Sequence, residues 1–334
     1  MATELKDKFG RKISYLRLSI TCKCNLKCGY CYSGDSSFAD SSMRADKIFK
    51  LVRALAGAGV YKVRITGGEP LLRNDITEII SRISEIKSIK DLSITTNGAL
   101  LEKYAEKISN SGINRINVSL DSLKPETYNK ITGGCLQDVL NGISCARNYF
   151  TDIRVNVVLL KDLNDEELTD FVEFGKQNNL TVRFLELMPV KAREFRSTPD
   201  SPARYVDYNR HFLSIESAKT KLEKKYLLTP LKSSEVVGTA RWFNVDSGNT
   251  RIGFIAPLSA PFCEICNRIR IASDGKVFPC LHDSAYVSVK KMLSEDVEDD
   301  LLIEKINSIL QKKQFKHKLN ELEKSESDMM FLGG

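Results

Sequence analysis

Between Tyr15 and Leu187 the chain repeats one pattern, a short run of β-forming residues followed by an amphipathic helical stripe. The β runs are Tyr15–Ile20, Val63–Thr66, Leu92–Thr95, Arg115–Leu120, Ile153–Leu159 and Thr181–Leu187. The stripes carry apolar residues three and four apart, as in Ile76, Ile79, Ile80, Ile83 and Ile86, where Asn74 or Asp75 is a natural N-cap. Others run through Ile48, Leu51, Val52 and Leu55, through Leu136, Val139, Leu140 and Ile143, and through Leu168, Phe171 and Val172. Such alternation calls for parallel strands joined by right-handed crossovers, hence an open doubly wound sheet or a barrel. Six units are too few to close a full barrel. The expected fold is α/β, an incomplete three-quarter TIM-type barrel of about six βα units. A C-terminal mixed or antiparallel extension is expected to cover the opening.

Each strand has one apolar and one polar face, because side chains alternate along a strand. Leu16, Leu18 and Ile20 alternate with Tyr15, Arg17 and Ser19, and Val63 and Ile65 with Arg64 and Thr66. Leu92 and Ile94 oppose Ser93 and Thr95, and Ile116 and Val118 oppose Asn117 and Ser119. Ile153, Val155 and Val157 oppose Arg154 and Asn156. The apolar faces suit the helices, so the polar faces must line something wet or polar. An antiparallel sheet wetted on one face would alternate in the same way; the intervening helices argue against it. Ordinary barrels fill their interior with branched apolar residues. Arg17, Arg64 and Arg154 among several hydroxyls instead describe a cavity for an anionic ligand.

After Met188 the pattern stops. Three segments follow from this: a partial barrel over 1–188, a polar loop or linker over 189–210, and an extension over 211–334. The extension reads as a helix around Asn209–Lys225 and then two hairpins. Arg241–Val245 and Thr250–Ile255 flank one turn, and Arg268–Ala272 and Lys276–Phe278 flank Ser273-Asp274-Gly275.

Nine cysteines, with no export signal and no apolar run long enough for a membrane span, point to metal or redox chemistry in a cytoplasmic protein. Cys24, Cys28 and Cys31 form a C-x3-C-x2-C set at the end of the first strand. A structural zinc site closes with four ligands, and cubane iron–sulfur clusters normally take four cysteines. Three thiolates leave one iron able to take a small-molecule ligand. Cys263, Cys266 and Cys280 repeat that arithmetic, with His282 as a fourth donor if the site were zinc. Cys22, Cys135 and Cys145 fall outside both sets and receive no role. Arg268 and Arg270 share a strand face beside the second set, which suits bidentate phosphate recognition. Gly67-Gly68-Glu69-Pro70 and Thr96-Asn97-Gly98 follow the second and third strands, at the end where barrel ligands bind. The net charge of +7 decides little by itself.

Together, Cys24–Cys31, Ile65–Pro70, Thr95–Gly98, Asn117–Asp121, Phe262–Arg270 with Cys280, and Gly333-Gly334 carry a family resemblance. Over almost its whole length the chain resembles the radical S-adenosylmethionine (SAM) GTP 3′,8-cyclases of molybdenum-cofactor biosynthesis. The resemblance implies that Cys24, Cys28 and Cys31 hold a [4Fe–4S] cluster that binds SAM and cleaves it reductively. It places Tyr30, Gly68, Ser119 and Met188 against SAM. It places Arg17, Arg64, Thr95, Arg154, Arg268 and Arg270 against GTP, with Arg17, Arg268 and Arg270 also in the catalytic set. Cys263, Cys266 and Cys280 would hold a second [4Fe–4S] cluster whose free iron meets the guanine. The implied product is (8S)-3′,8-cyclo-7,8-dihydroguanosine 5′-triphosphate, passed to a cyclic pyranopterin monophosphate synthase. Electrons would come from a low-potential donor of the flavodoxin or ferredoxin type, with a homodimer as one allowed assembly. No membrane or nucleic-acid partner is expected. The Gly-Gly tail would reach the active site. Arg154 stands where lysine is common, and Tyr32 and the 189–210 segment depart from the usual pattern.

Two other readings compete. A radical SAM enzyme with an auxiliary cluster acting on a peptide would usually carry more C-terminal cysteines. A non-catalytic metal module for nucleic acid has only the positive charge in its favour.

Overall fold

The computed structural model describes residues 4–31, 42–189, 206–231, 238–248, 250–295 and 297–317. Six βα units come first: β1 (Tyr15–Ser19), α1 (Ala45–Gly57), β2 (Lys62–Thr66), α2 (Ile76–Ser84), β3 (Asp91–Thr96), α3 (Leu101–Asn110), β4 (Arg115–Ser119), α4 (Pro125–Thr132), α5 (Leu136–Ala146), β5 (Ile153–Leu159), α6 (Leu168–Asn178) and β6 (Thr181–Glu186). Then come α7 (Tyr208–His211), α8 (Ile215–Glu223), β7 (Leu228–Pro230), β8 (Arg241–Val245), β9 (Arg251–Ile255), β10 (Arg268–Ile271), β11 (Lys276–Phe278), β12 (Val287–Ser288), α9 (Lys290–Ser294) and α10 (Asp299–Leu310).

All described strands join one sheet in the order β12-β11-β10-β1-β2-β3-β4-β5-β6-β9-β8-β7. Neighbours from β10 through β9 run parallel, and both flanks turn antiparallel. The extension therefore does more than cover an opening: β10 adds to the β1 edge and β9 to the β6 edge. The parallel run thus grows past the six strands of the βα units.

The alternation explains the layering. In β5 the buried positions Ile153, Val155, Val157 and Leu159 alternate with half-buried Arg154 and Asn156. Leu16, Leu18, Val63, Ile65, Ile94, Ile116 and Val118 pack with Ile48, Leu51, Leu55, Ile80 and Val139 of the helices in one continuous core. Filling that layer with branched apolar residues leaves the opposite strand face to the polar side chains.

Two local expectations need correcting. Asp75 stands at the N-cap position of α2, but its side chain makes no capping bond. Its carboxylate instead takes Arg73 Nε and Nη2 at 2.7 and 2.6 Å, an ion pair stronger than a single cap bond. The helix expected over Asn209–Lys225 is two pieces, α7 and α8, broken at Phe212–Ser214. There Ser214 leaves helical geometry to accept the Ser217 N–H at 3.2 Å, so its hydroxyl starts a new helix instead of continuing the old one. The linker's residues 190–205 and the tail Gly333-Gly334 lie outside the described residues.

Candidate active site

The loop that carries Cys24, Cys28 and Cys31 leaves the C-terminal end of β1, and the loops after β2, β3 and β4 close on it. Gly68 and Glu69 donate their N–H groups to the Thr21 and Lys23 carbonyls at 2.7 and 2.8 Å. A Cβ at Gly68 would lie 2.7 Å from the Lys23 carbonyl carbon and 2.8 Å from the Cys22 oxygen. The close backbone approach expected of these glycines is therefore to the cysteine loop itself. Asn97 Nδ2 donates to Asn25 Oδ1 at 2.8 Å, and Tyr30 Oη donates to Asp121 Oδ2 at 2.6 Å. Asp121 Oδ1 also takes the Val158 N–H at 2.9 Å, tying the cysteine loop to β5.

Burial pushes the Cys24 thiol up to about 11. Cys28 is pushed well above the usual thiol range by burial first, then by Cys31, Asp121 and Cys24. A bound cation would reverse the repulsion that Cys31 and Cys24 exert on Cys28. Burial also raises Asp121 to about 6 and Glu69 to about 7.

At the opposite end of the strands lies the second set. Cys266 precedes β10, and Cys280 follows β11, which runs antiparallel to β10 and returns to the same end. Cys263 sits in a short 3-10 turn, and its carbonyl accepts Arg11 Nη1 at 2.5 Å. Burial and the neighbouring thiols Cys280 and Cys266 raise Cys263. Burial would raise Cys266 too, but Lys313, Arg268 and Arg11 outweigh it and hold that thiol below its ordinary value. Lys313 is itself buried and donates Nζ to the Arg268 and Pro279 carbonyls at 2.7 and 2.5 Å.

A cavity of about 190 Å³ opens beside the second set. Arg17, Arg64, Thr95, Arg154, Arg268, Arg270 and Met188 all line it, as do Cys263, Cys266 and Cys280. Strand register stacks the cations: Arg270 pairs with Arg17, which pairs with Arg64 across β10, β1 and β2. Like charges directly opposite one another destabilise a sheet. Burial lowers Arg17 far below its ordinary value, with Arg270 as the next cause, and burial with Arg268 brings Arg270 to about 10. Arg64 is lowered by burial and by Arg115, Arg268 and Arg154. Residues lining the cavity also hold buried polar atoms with no hydrogen-bond partner among the described residues: Tyr15 Oη, Arg64 Nε, Thr95 Oγ1, Asn156 Oδ1 and Arg183 Nε. Such atoms are costly unless a ligand or water satisfies them.

Not every expected side chain faces this space in the same way. Arg154 reaches it but is already clamped by Asp152 at 2.8 Å to each carboxylate oxygen, over the Trp242 ring at 5.7 Å. Arg268 bonds Thr239 Oγ1 at 2.6 Å and lies over the Phe262 ring at 5.0 Å. Tyr30, Gly68 and Ser119 do not line the cavity and sit at or beyond the C-terminal ends of their strands. Met188 packs with Cys22, Ala272, Phe278 and Leu281, so Cys22 serves a small apolar cluster. Arg183 of β6 is a cavity residue that the sequence reading did not single out. Its Nη2 donates to Asn117 Oδ1 at 2.6 Å, and burial, then Arg64 and Arg154, depress it strongly. Extending the face alternation to β6 would have found it.

The donor chemistry fits two cubane clusters: each set offers three thiols, and Cys22, two residues before Cys24, packs in an apolar cluster instead. Among the described residues no three His, Cys, Asp or Glu side chains are grouped so as to hold a single metal ion. No described helix is long and apolar enough to cross a membrane.

Residues 18–175 match the radical SAM superfamily, and residues 180–319 match the family described as Molybdenum Cofactor Synthesis C. The chain is 37% identical to a GTP 3′,8-cyclase of Clostridium acetobutylicum, over 98% of this chain and 99% of the relative. It is 38% identical to a GTP 3′,8-cyclase of Alkaliphilus metalliredigens, over 99% of this chain and 100% of that one. Among solved structures it resembles Streptococcus suis SuiB bound to precursor peptide SuiA, with a TM-score of 0.64 at 17% identity, covering 98% of this chain and 75% of that chain. That likeness speaks for the fold alone.

Proposed function

From the membership of this chain in the GTP 3′,8-cyclase family of radical SAM proteins, we propose how its own side chains divide the work of that reaction. The enzyme converts GTP to (8S)-3′,8-cyclo-7,8-dihydroguanosine 5′-triphosphate, the first step of molybdenum-cofactor biosynthesis. Cys24, Cys28 and Cys31 hold a [4Fe–4S] cluster, and Cys263, Cys266 and Cys280 hold a second. Bound there, the first cluster with SAM supplies the one-electron chemistry that takes a hydrogen from the ribose, which no side chain can do. Tyr30, Gly68, Ser119 and Met188 shape the SAM end.

Arg17, Arg64, Thr95, Arg154, Arg268 and Arg270 receive GTP, joined by Arg183. These residues bind, orient and exclude water. Charge-assisted bonds from the stacked arginines hold the triphosphate, and the ribose is thereby presented between the two ends. One observation carries this reading: a row of mutually repelling, largely buried arginines lines a cavity whose other residues hold unpartnered polar atoms and the second three-thiol set. A polyanion relieves that repulsion and accepts from the donors Tyr15 Oη, Arg64 Nε, Thr95 Oγ1 and Arg183 Nε, while Asn156 Oδ1 calls for a donor such as a ribose hydroxyl or a base N–H.

In this reading the chain divides into a partial barrel of 1–188, a linker of 189–210 and an extension of 211–334. A flavodoxin or ferredoxin type donor supplies electrons in the cytoplasm, a cyclic pyranopterin monophosphate synthase takes the product, and a homodimer is one allowed assembly. The test is anaerobic incubation of the reconstituted protein with SAM, reductant and GTP, followed by chromatography and mass analysis of the nucleotide. Conversion of GTP to an isomer of its own mass is expected. Unchanged GTP beside SAM cleavage would overturn the reading.

A further inference from the structure

Tyr15 interrupts the cation array at one place. In the row next to Arg270–Arg17–Arg64, the paired residues are Arg268, Tyr15 and Lys62. Its ring has the Lys62 ammonium 5.0 Å from its centroid, the Arg268 guanidinium at 5.5 Å and the Arg64 guanidinium at 5.6 Å. An aromatic ring attracts cations, so one buried side chain keeps three of them in place and apart. The Tyr15 side chain is only 6% exposed, lines the cavity, and has no described hydrogen-bond partner for its hydroxyl. The strand already satisfies its backbone: the Tyr15 N–H donates to the Asn267 carbonyl at 3.1 Å. A structural tyrosine at such a place would need a partner for its hydroxyl or none to offer.

We propose that Tyr15 is a further substrate-binding residue, whose hydroxyl donates to the phosphate chain of the nucleotide while its ring spaces Lys62, Arg64 and Arg268 around that chain. This rests on the reading of the cavity as a nucleoside triphosphate site. The chemistry recognised is polyphosphate, because the charged groups facing the ring are mainly cations: Arg17 on its own strand, Lys62 and Arg64 on β2, Arg268 and Arg270 on β10, and Arg183 from β6. The carboxylate of Asp91, beside Lys62, is held by Lys62 at 2.8 Å and by Arg115 at 2.8 Å, and Glu186, which also lines the cavity, is taken by the Leu258 and Ser259 N–H groups at 3.1 Å.

A second consequence follows from the same surroundings. Burial alone would raise the Tyr15 phenol, but Arg64, Arg17, Arg268 and Lys62 together bring it down to about 8. A bound polyanion offsets those cations and returns the phenol toward its ordinary value. Binding above that pH therefore takes up a proton, and affinity falls as pH rises.

The experiment measures equilibrium binding of GTP, inorganic tripolyphosphate and guanosine to the anaerobic two-cluster protein and to its Tyr15→Phe and Tyr15→Leu variants. Tyr15→Phe keeps the ring and should bind GTP and tripolyphosphate roughly tenfold more weakly. Its guanosine and SAM affinities should match wild type. Tyr15→Leu, which loses the ring as well, should lose more. Between pH 7 and 9 wild-type GTP affinity should fall more steeply than that of Tyr15→Phe. Wild-type affinity of Tyr15→Phe for both polyphosphates would overturn the proposal. So would an equal loss for guanosine, which would put the hydroxyl on the base. If wild type showed no preference for GTP over ATP while tripolyphosphate binding still depended on Tyr15, the GTP reading would fall and this one would stand.

Discussion

Glu69 Oε2 accepts the backbone N–H of Asn97 at 2.7 Å, locking the loop after β2 to the loop after β3. Its other oxygen takes the Thr96 hydroxyl at 2.7 Å and the Leu71 N–H at 3.0 Å. Asn97 then reaches Asn25 inside the cysteine loop. One fully buried carboxyl thus fixes the platform on which the first three thiols stand.

That carboxyl makes stability pH-dependent. Burial raises Glu69 from 4.5 to about 7, so the native chain keeps its proton where the unfolded chain has lost it. Its contribution is fully present below about pH 4.5 and is lost as pH rises through 7, by at most about 3 kcal/mol. Melting temperatures of wild type and Glu69→Gln measured from pH 5 to 8 check this. The wild-type curve should fall more steeply than the variant's; parallel curves would refute the assignment.

Gly68→Ala should damage one end of the molecule only. The added Cβ meets backbone atoms of Cys22 and Lys23, which cannot swing aside as a side chain would. The expected result is loss of the first cluster and of SAM cleavage, with about half the iron retained at the other end. Full iron content and normal 5′-deoxyadenosine formation would show that the loop tolerates the displacement.

The two cysteine sets should be separable. Serine at Cys24, Cys28 or Cys31 should abolish SAM cleavage. Serine at Cys263 or Cys280 should leave some cleavage and abolish nucleotide cyclisation. His282→Ala should leave the second cluster in place, because a cubane with an open iron needs no fourth protein donor. Loss of metal from His282→Ala, with zinc found in the wild type, would contradict this.

Alanine at Arg17, Arg64, Arg268 or Arg270 should weaken GTP binding by roughly 1.5–3 kcal/mol with little change in SAM affinity. Arg154→Ala should fall at the low end of that range, since Asp152 already takes its Nε and Nη2 donors. Titration calorimetry ranks them, and insensitivity at most of these positions would remove the case for a phosphate cavity.

Much of this arrangement was readable in the sequence, for physical reasons. A period of two fixes which side of a strand a residue faces, so Arg17, Arg64, Thr95 and Arg154 could be assigned to one cavity before any contact was known. Two cysteine sets with three members each limited the metal chemistry in the same way. What stayed hidden depends on tertiary register. Nothing local says that β10 lies beside β1, so the Arg270–Arg17–Arg64 row and the place of Tyr15 in the next row could not be foreseen. Lys313 comes to Cys266 from after α10, far along the chain. Asp75 left its capping role for Arg73, a local competition that propensity does not rank.

The central claim is that this cavity presents the ribose of GTP to the SAM end. The most direct measurement is a turnover with GTP carrying deuterium at the ribose 3′ carbon, with mass analysis of the 5′-deoxyadenosine released. The account predicts 5′-deoxyadenosine one mass unit heavier, formed together with the cyclised nucleotide. Unlabelled 5′-deoxyadenosine formed while the deuterium stays in GTP would contradict it.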